Sequence, residues 1–104
     1  MACNNTMKDQ PIYITLLTIE LMIPYARSLK DKRSALRALT DRIRSNFNAS
    51  VAEVGYQDKW QRAVVAVCFV GSDKRHLEAD AARLRTLCGE ARDIEITSID
   101  QEWL

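Results

Sequence analysis

The chain has 104 residues, 47% apolar and 28% charged, with only three glycines and two prolines, which is the composition of an ordinary single globular domain. That excludes a disordered chain, a collagen-like repeat and a repeat array. Fifteen Lys plus Arg against fourteen Asp plus Glu leave a net charge of +1, so no bulk field draws the chain to nucleic acid or membrane, yet residues 1–52 hold eight bases and four acids while residues 53–104 hold seven bases and ten acids.

Residues 1–10 are polar and read as a loose N-terminal extension, because nothing in them buries enough surface to offset ordering. A single domain then spans residues 11–104. The run Tyr13 to Ile23 is apolar on both alternating faces, as in a central strand covered on both sides, and Pro24 ends it. At this length, with Glu20 inside it, the run is too short to cross a bilayer, and it lacks a signal-peptide cleavage site. Ser28 is a helix N-cap, and Leu29, Leu36, Leu39, Ile43 and Phe47 recur at helical spacing, with Asn48 suited to a left-handed stop. A short strand, Val51 to Val54, leads through the loop 55–61 into a second apolar run, Ala63 to Val70, so the two form a hairpin. Gly71 punctuates, Ser72 or Asp73 caps, and Leu77, Ala81, Leu84, Leu87 and Cys88 trace the buried stripe of a second helix. Ile94, Ile96 and Ile99 supply a last strand.

Strand, helix, strand, strand, helix, strand is two split βαβ units, the α+β ferredoxin-like βαββαβ two-layer sandwich, with a four-stranded antiparallel sheet and two helices on one face. Right-handed crossovers put the first and third strands at the centre. Glu53 and Glu95 then fall on the edge strands, where charge discourages edge-to-edge pairing. The second sheet face stays open, and Leu16 and Met22 make it apolar, so a homo-oligomer through that face or an edge strand is expected.

Residues 25–44 carry seven bases, Arg27, Lys30, Lys32, Arg33, Arg37, Arg42 and Arg44, against Asp31 and Asp41 alone. Helical spacing gathers Lys30, Arg33 and Arg37, with Arg44 a turn or two on, which suits a phosphate backbone. The plain alternative is a solvated face answered by acids elsewhere. No glycine-rich cradle of the Walker type precedes the helix. The hairpin loop adds Tyr56, Lys59, Trp60 and Arg62, where an exposed aromatic can stack a base or equally fold back to cap the core. Asp58 needs only a turn role. Cys3, Cys68 and Cys88 have no metal-ligand spacing, and Cys68 and Cys88, with no basic neighbour, read as buried reduced thiols; His76 stands alone. The sequence therefore offers no catalytic residue set, no metal site and no cofactor motif.

Three stretches carry a family resemblance: Leu16 to Pro24, Ala26-Arg27-Ser28-Leu29-Lys30-Asp31-Lys32-Arg33, and Phe47 to Val54 with Tyr56-Gln57-Asp58 and Trp60-Gln61-Arg62-Ala63. Over residues 12–88 the chain resembles the bacterial YlxP-like family, long catalogued as a domain of unknown function. It departs from that family in its polar extension and in Ala49, where members usually have Val. The resemblance implies a small protein of the bacterial cytoplasm, often encoded beside translation initiation factor two and ribosome-binding factor A. It carries a basic signature onto Arg27, Lys30, Lys32 and Arg33, and a hairpin signature onto Glu53, Tyr56, Gln57, Asp58, Trp60, Gln61 and Arg62. The expected function is a non-enzymatic RNA- or ribosome-associated protein, the alternative being an oligomeric interaction scaffold with no nucleic-acid role.

Overall fold

A computed structural model of the chain describes residues 11–104. The expected extension over residues 1–10, with Cys3, lies outside the described residues. The elements run β1 (Tyr13–Met22), α1 (Leu29–Asn46), β2 (Ser50–Gly55), β3 (Arg62–Gly71), α2 (Lys74–Gly89) and β4 (Glu95–Trp103). The sheet is antiparallel in the order β2-β3-β1-β4, so the two most apolar runs take the centre. This is the ferredoxin-like α+β sandwich.

One face of β1 and β3 is fully buried: Leu17, Ile19 and Leu21 interleave with Val65, Val67 and Phe69 beneath both helices. From α1, Leu36, Leu39 and Ile43 cover that face, and from α2 come Leu77, Ala81, Leu84, Leu87 and Cys88, the stripe that the spacing predicts. Both helix starts are capped as expected. Ser28 Oγ accepts from the Asp31 amide at 3.1 Å, while Asp31 reaches back to the Arg27 amide at 2.9 Å, and Asp73 accepts from the Arg75 amide at 3.0 Å.

The first helix does not stop on a left-handed Asn48. The chain leaves it through Phe47 in extended backbone, whose amide still bonds to the Ile43 carbonyl at 3.0 Å. Burial of the Phe47 ring, edge-on to Phe69 at 5.7 Å, dictates that exit in place of a left-handed cap. Two bulges adjust the edges. Val54 is the extra residue in β2, next to Gly55, where a Cβ would meet the Val64 side chain at 3.0 Å. Thr97 is the extra residue in β4, and its hydroxyl donates to the Glu20 carbonyl at 3.0 Å.

The other sheet face has no helix. It carries Ile14, Leu16 and Met22 from β1 and Val64, Ala66 and Val70 from β3. Cys68 lies on it, half-buried, so only Cys88 of the two described thiols is a core residue. No helix of the described residues is long and apolar enough to cross a membrane.

Candidate nucleic-acid interface

Of the basic residues that α1 contributes, Lys32 differs from the rest. It is 2% exposed and sits one turn before Leu36, on the stripe that continues through Leu39 and Ile43 toward the sheet. Its ammonium spends all three donors inside the protein, on the Tyr56 carbonyl (2.5 Å), the Lys59 carbonyl (2.7 Å) and the Glu53 carboxylate (3.1 Å). Lys32 is therefore withdrawn from the phosphate-binding set that the sequence suggests; it ties the β2–β3 loop to the start of α1. Glu53 lies on the edge strand β2 as expected, and its carboxylate faces this lysine on the helix side of the sheet. Extending the apolar stripe of α1 back one turn from Leu36 lands on position 32, and that was the available signal.

The loop so held is firmly placed. Tyr56 adopts left-handed backbone (φ 55°) and also accepts from the Lys59 amide at 3.0 Å. The Gln61 amide group donates to the carbonyls of Pro24 and Ala26, both at 3.1 Å, which fastens the end of the loop to the segment leaving β1. Trp60 stands out from this frame, 52% exposed, over a shallow cleft of about 450 Å³ lined with Met22, Asp58, Lys59 and Arg62. Arg62 is committed: it pairs with Glu20 at 3.1 Å and lies 4.2 Å over the Tyr56 ring. That ring face is filled by the guanidinium, which leaves Trp60 as the accessible aromatic of the loop.

The remaining bases of α1 are exposed. Arg33, Arg37 and Arg44 share one flank with Thr40, following the i, i+4, i+7, i+11 rows of a helix, and line a groove of about 300 Å³ against β2, with Glu53 and Val65 at its floor. Arg44 is partly spoken for, lying 3.8 Å from Asp41 and donating to the Val51 carbonyl at 3.2 Å. Arg42 approaches Glu90 at 4.0 Å. Among the described residues Lys30, Arg33 and Arg37 have no ion-pair partner, nor does the side chain of Arg27. The structure thus divides the predicted site in two: the arginines look out beside β2 on the helix side, whereas Trp60 and Arg62 lie with Met22 at the end of the open sheet face.

Other candidates resolve plainly. His76 pairs with Asp80 at 3.4 Å on the exposed side of α2. Burial pushes the Cys88 thiol up to about 11, which suppresses its thiolate at neutral pH. A cleft of about 590 Å³ between α1 and the α2–β4 loop has an apolar floor of Ile23, Leu39 and Ile94 and a rim of mixed charge, and no sequence motif marks it.

The family model described as "Protein of unknown function (DUF503)" matches residues 14–101. "Uncharacterized protein YlxP" of Bacillus subtilis (strain 168) is 36% identical over 84 residues, 81% of this chain and 91% of its own length. Among solved structures, the de novo designed protein Foldit4 superposes with a TM-score of 0.50 at 11% identity, over 90% of this chain and 97% of that one. A mutant of SnoaB, a cofactor-independent oxygenase from Streptomyces nogalater, gives 0.49 at 9% identity, over 88% and 90%. The designed protein bears only on the fold; the sequence matches, which span nearly all of β1 to β4, assign the chain to the DUF503, or YlxP-like, family of proteins of unknown function.

Proposed function

We propose that this protein is a non-enzymatic RNA-associated module that grips a phosphate backbone along the exposed flank of α1, as ribosomal RNA would present it. The observation that carries the reading is the contrast among its bases. Lys30, Arg33 and Arg37 occupy successive turns, exposed and without an ion-pair partner among the described residues, while Lys32, Arg42, Arg44 and Arg62 are answered by acids. Stability alone gives no reason to leave three like charges unanswered on one flank, since their mutual repulsion costs free energy. Arg27 and Lys59 extend the positive surface at the helix start, and Trp60, reached around the hairpin tip, offers a stacking platform for an unpaired base.

Binding of a short single-stranded RNA, followed by anisotropy across a salt series, tests this. Three phosphate contacts give a log–log slope of about −2, from about −0.7 per neutralised phosphate. Arg33→Gln should flatten the slope by about one contact and weaken all sequences alike, with the melting temperature held, because an exposed unpaired arginine contributes little to folding. No binding at low salt, or a slope untouched by the substitution, would overturn the reading.

A further inference from the structure

We propose that a second copy of this chain covers the open sheet face, the two sheets stacked face to face about a two-fold axis that runs along the strands, so that β4 of each copy lies over β2 of the other. The proposal does not use the α1 flank. Three observations carry it.

The first is the chemistry of the face. Ile14, Leu16, Val64, Ala66 and Cys68 form a contiguous apolar surface on the two central strands, and Val70 at its end is 59% exposed. The acid among them, Glu20, is neutralised within its own chain by Arg62 at 3.1 Å. The largest contiguous apolar patch on a small protein is often an interaction surface.

The second is its extent. The four strands contribute 10, 6, 10 and 9 residues. At a rise of about 3.3 Å per residue and a strand spacing of about 4.8 Å, their plan area is about 550 Å² per copy. Because the six-residue β2 covers only part of the nine-residue β4, two copies together bury about 1,000 Å², the least that a specific interface needs.

The third is charge, and it selects the axis. On this face the β4 edge presents Glu102, Asp100 and Glu95, opposite Leu16, Thr18 and Met22, whereas the β2 edge presents the neutral Ser50 and Ala52, opposite Cys68 and Ala66. An axis across the strands would lay the acidic edge of one copy on that of the other, a like-charge contact that costs free energy. An axis along the strands exchanges the edges: Asp100 comes over Ala52, Leu16 over Cys68 and Val70 over Ile14.

Light scattering at tens of micromolar should give twice the 11.9 kDa chain mass. Val70→Glu alters a side chain that is already mostly exposed in the single chain, so it should weaken dimerisation at least tenfold while far-ultraviolet circular dichroism stays unchanged. Ala52→Lys should preserve or tighten the dimer through Asp100 of the other copy, and Ala52→Glu should weaken it. A monomeric wild type overturns the proposal. A dimer indifferent to Val70→Glu does so too, because it must then form through an edge strand or the helices, and equal effects of the two Ala52 substitutions overturn the axis.

Discussion

Lys32 is the residue whose role changes most between sequence and structure. A lysine ammonium withdrawn from water is tolerated only where its donors are met, and here Glu53 and two carbonyls meet them; no buried side-chain nitrogen or oxygen among the described residues lacks a partner. Removing one partner is then worse than removing both. Glu53→Ala should cost about 2 kcal/mol in urea unfolding, less than a fully buried pair because Glu53 is about a third exposed, and the double substitution Lys32→Met with Glu53→Ala should recover part of that loss. A double variant less stable than the single one would mean that the carbonyl bonds, not the charge, govern the site. Cys88 gives a second expectation at this scale. Its thiol is held neutral by burial, with the value pushed up to about 11 from 9.0, so iodoacetamide at pH 8 should leave it unlabelled until the protein is unfolded. Because the shift is upward, the stability it contributes is fully present below pH 9 and is lost as the pH rises through about 11.

At the scale of elements, α1 presents three flanks to three surroundings. Leu36, Leu39 and Ile43 face the core, Arg33 and Arg37 face solvent beside β2, and Lys32, at the N-terminal end of the buried stripe, faces the β2–β3 loop. The reciprocal cap at its start sets the phase of all three. Ser28→Ala removes the acceptor of the Asp31 amide and should cost about 1 kcal/mol, read as a fall of about 4 °C in melting temperature, while leaving the salt slope of RNA binding as it was. The hairpin is a rigid element for a related reason: Lys32 fixes its middle and Gln61 its end. Trp60 is consequently exposed without being loose, and in a Trp103→Phe background its emission should be red-shifted and readily quenched by acrylamide. Blue, protected emission from the isolated chain would place the indole in the core; protection that disappears with Val70→Glu would place it at the dimer contact.

For the whole molecule, the two proposals fit one arrangement. Stacking the open faces puts both helix layers outermost, so the two α1 flanks point away from one another and neither obstructs the other. Calorimetric titration with an RNA short enough to span one flank should therefore give one strand per chain, in the wild type and in Val70→Glu alike. A stoichiometry of one strand per dimer would mean that the binding surface is built from both copies.

Local sequence was enough to set the elements, their order and the buried stripes, because hydrophobic periodicity and capping act over a few residues: Leu77 to Cys88 and the Ser28 cap stand where the spacing puts them. It also determined the central pair of strands, since a run apolar on both faces is unfavourable at an edge. What it could not decide depended on contacts between residues far apart in the chain. Lys32 and Tyr56 are 24 positions apart, and only the crossover that lays α1 over β2 reveals that this lysine is spent inside the fold. The extended exit at Phe47 follows from Phe69, and the withdrawal of Arg62 from the predicted site follows from Glu20, 42 positions away. The sequence thus determined a polarised sandwich with a basic helix. Tertiary packing decided which of the bases remain free, because a charge is free or answered according to what the fold brings within reach of it.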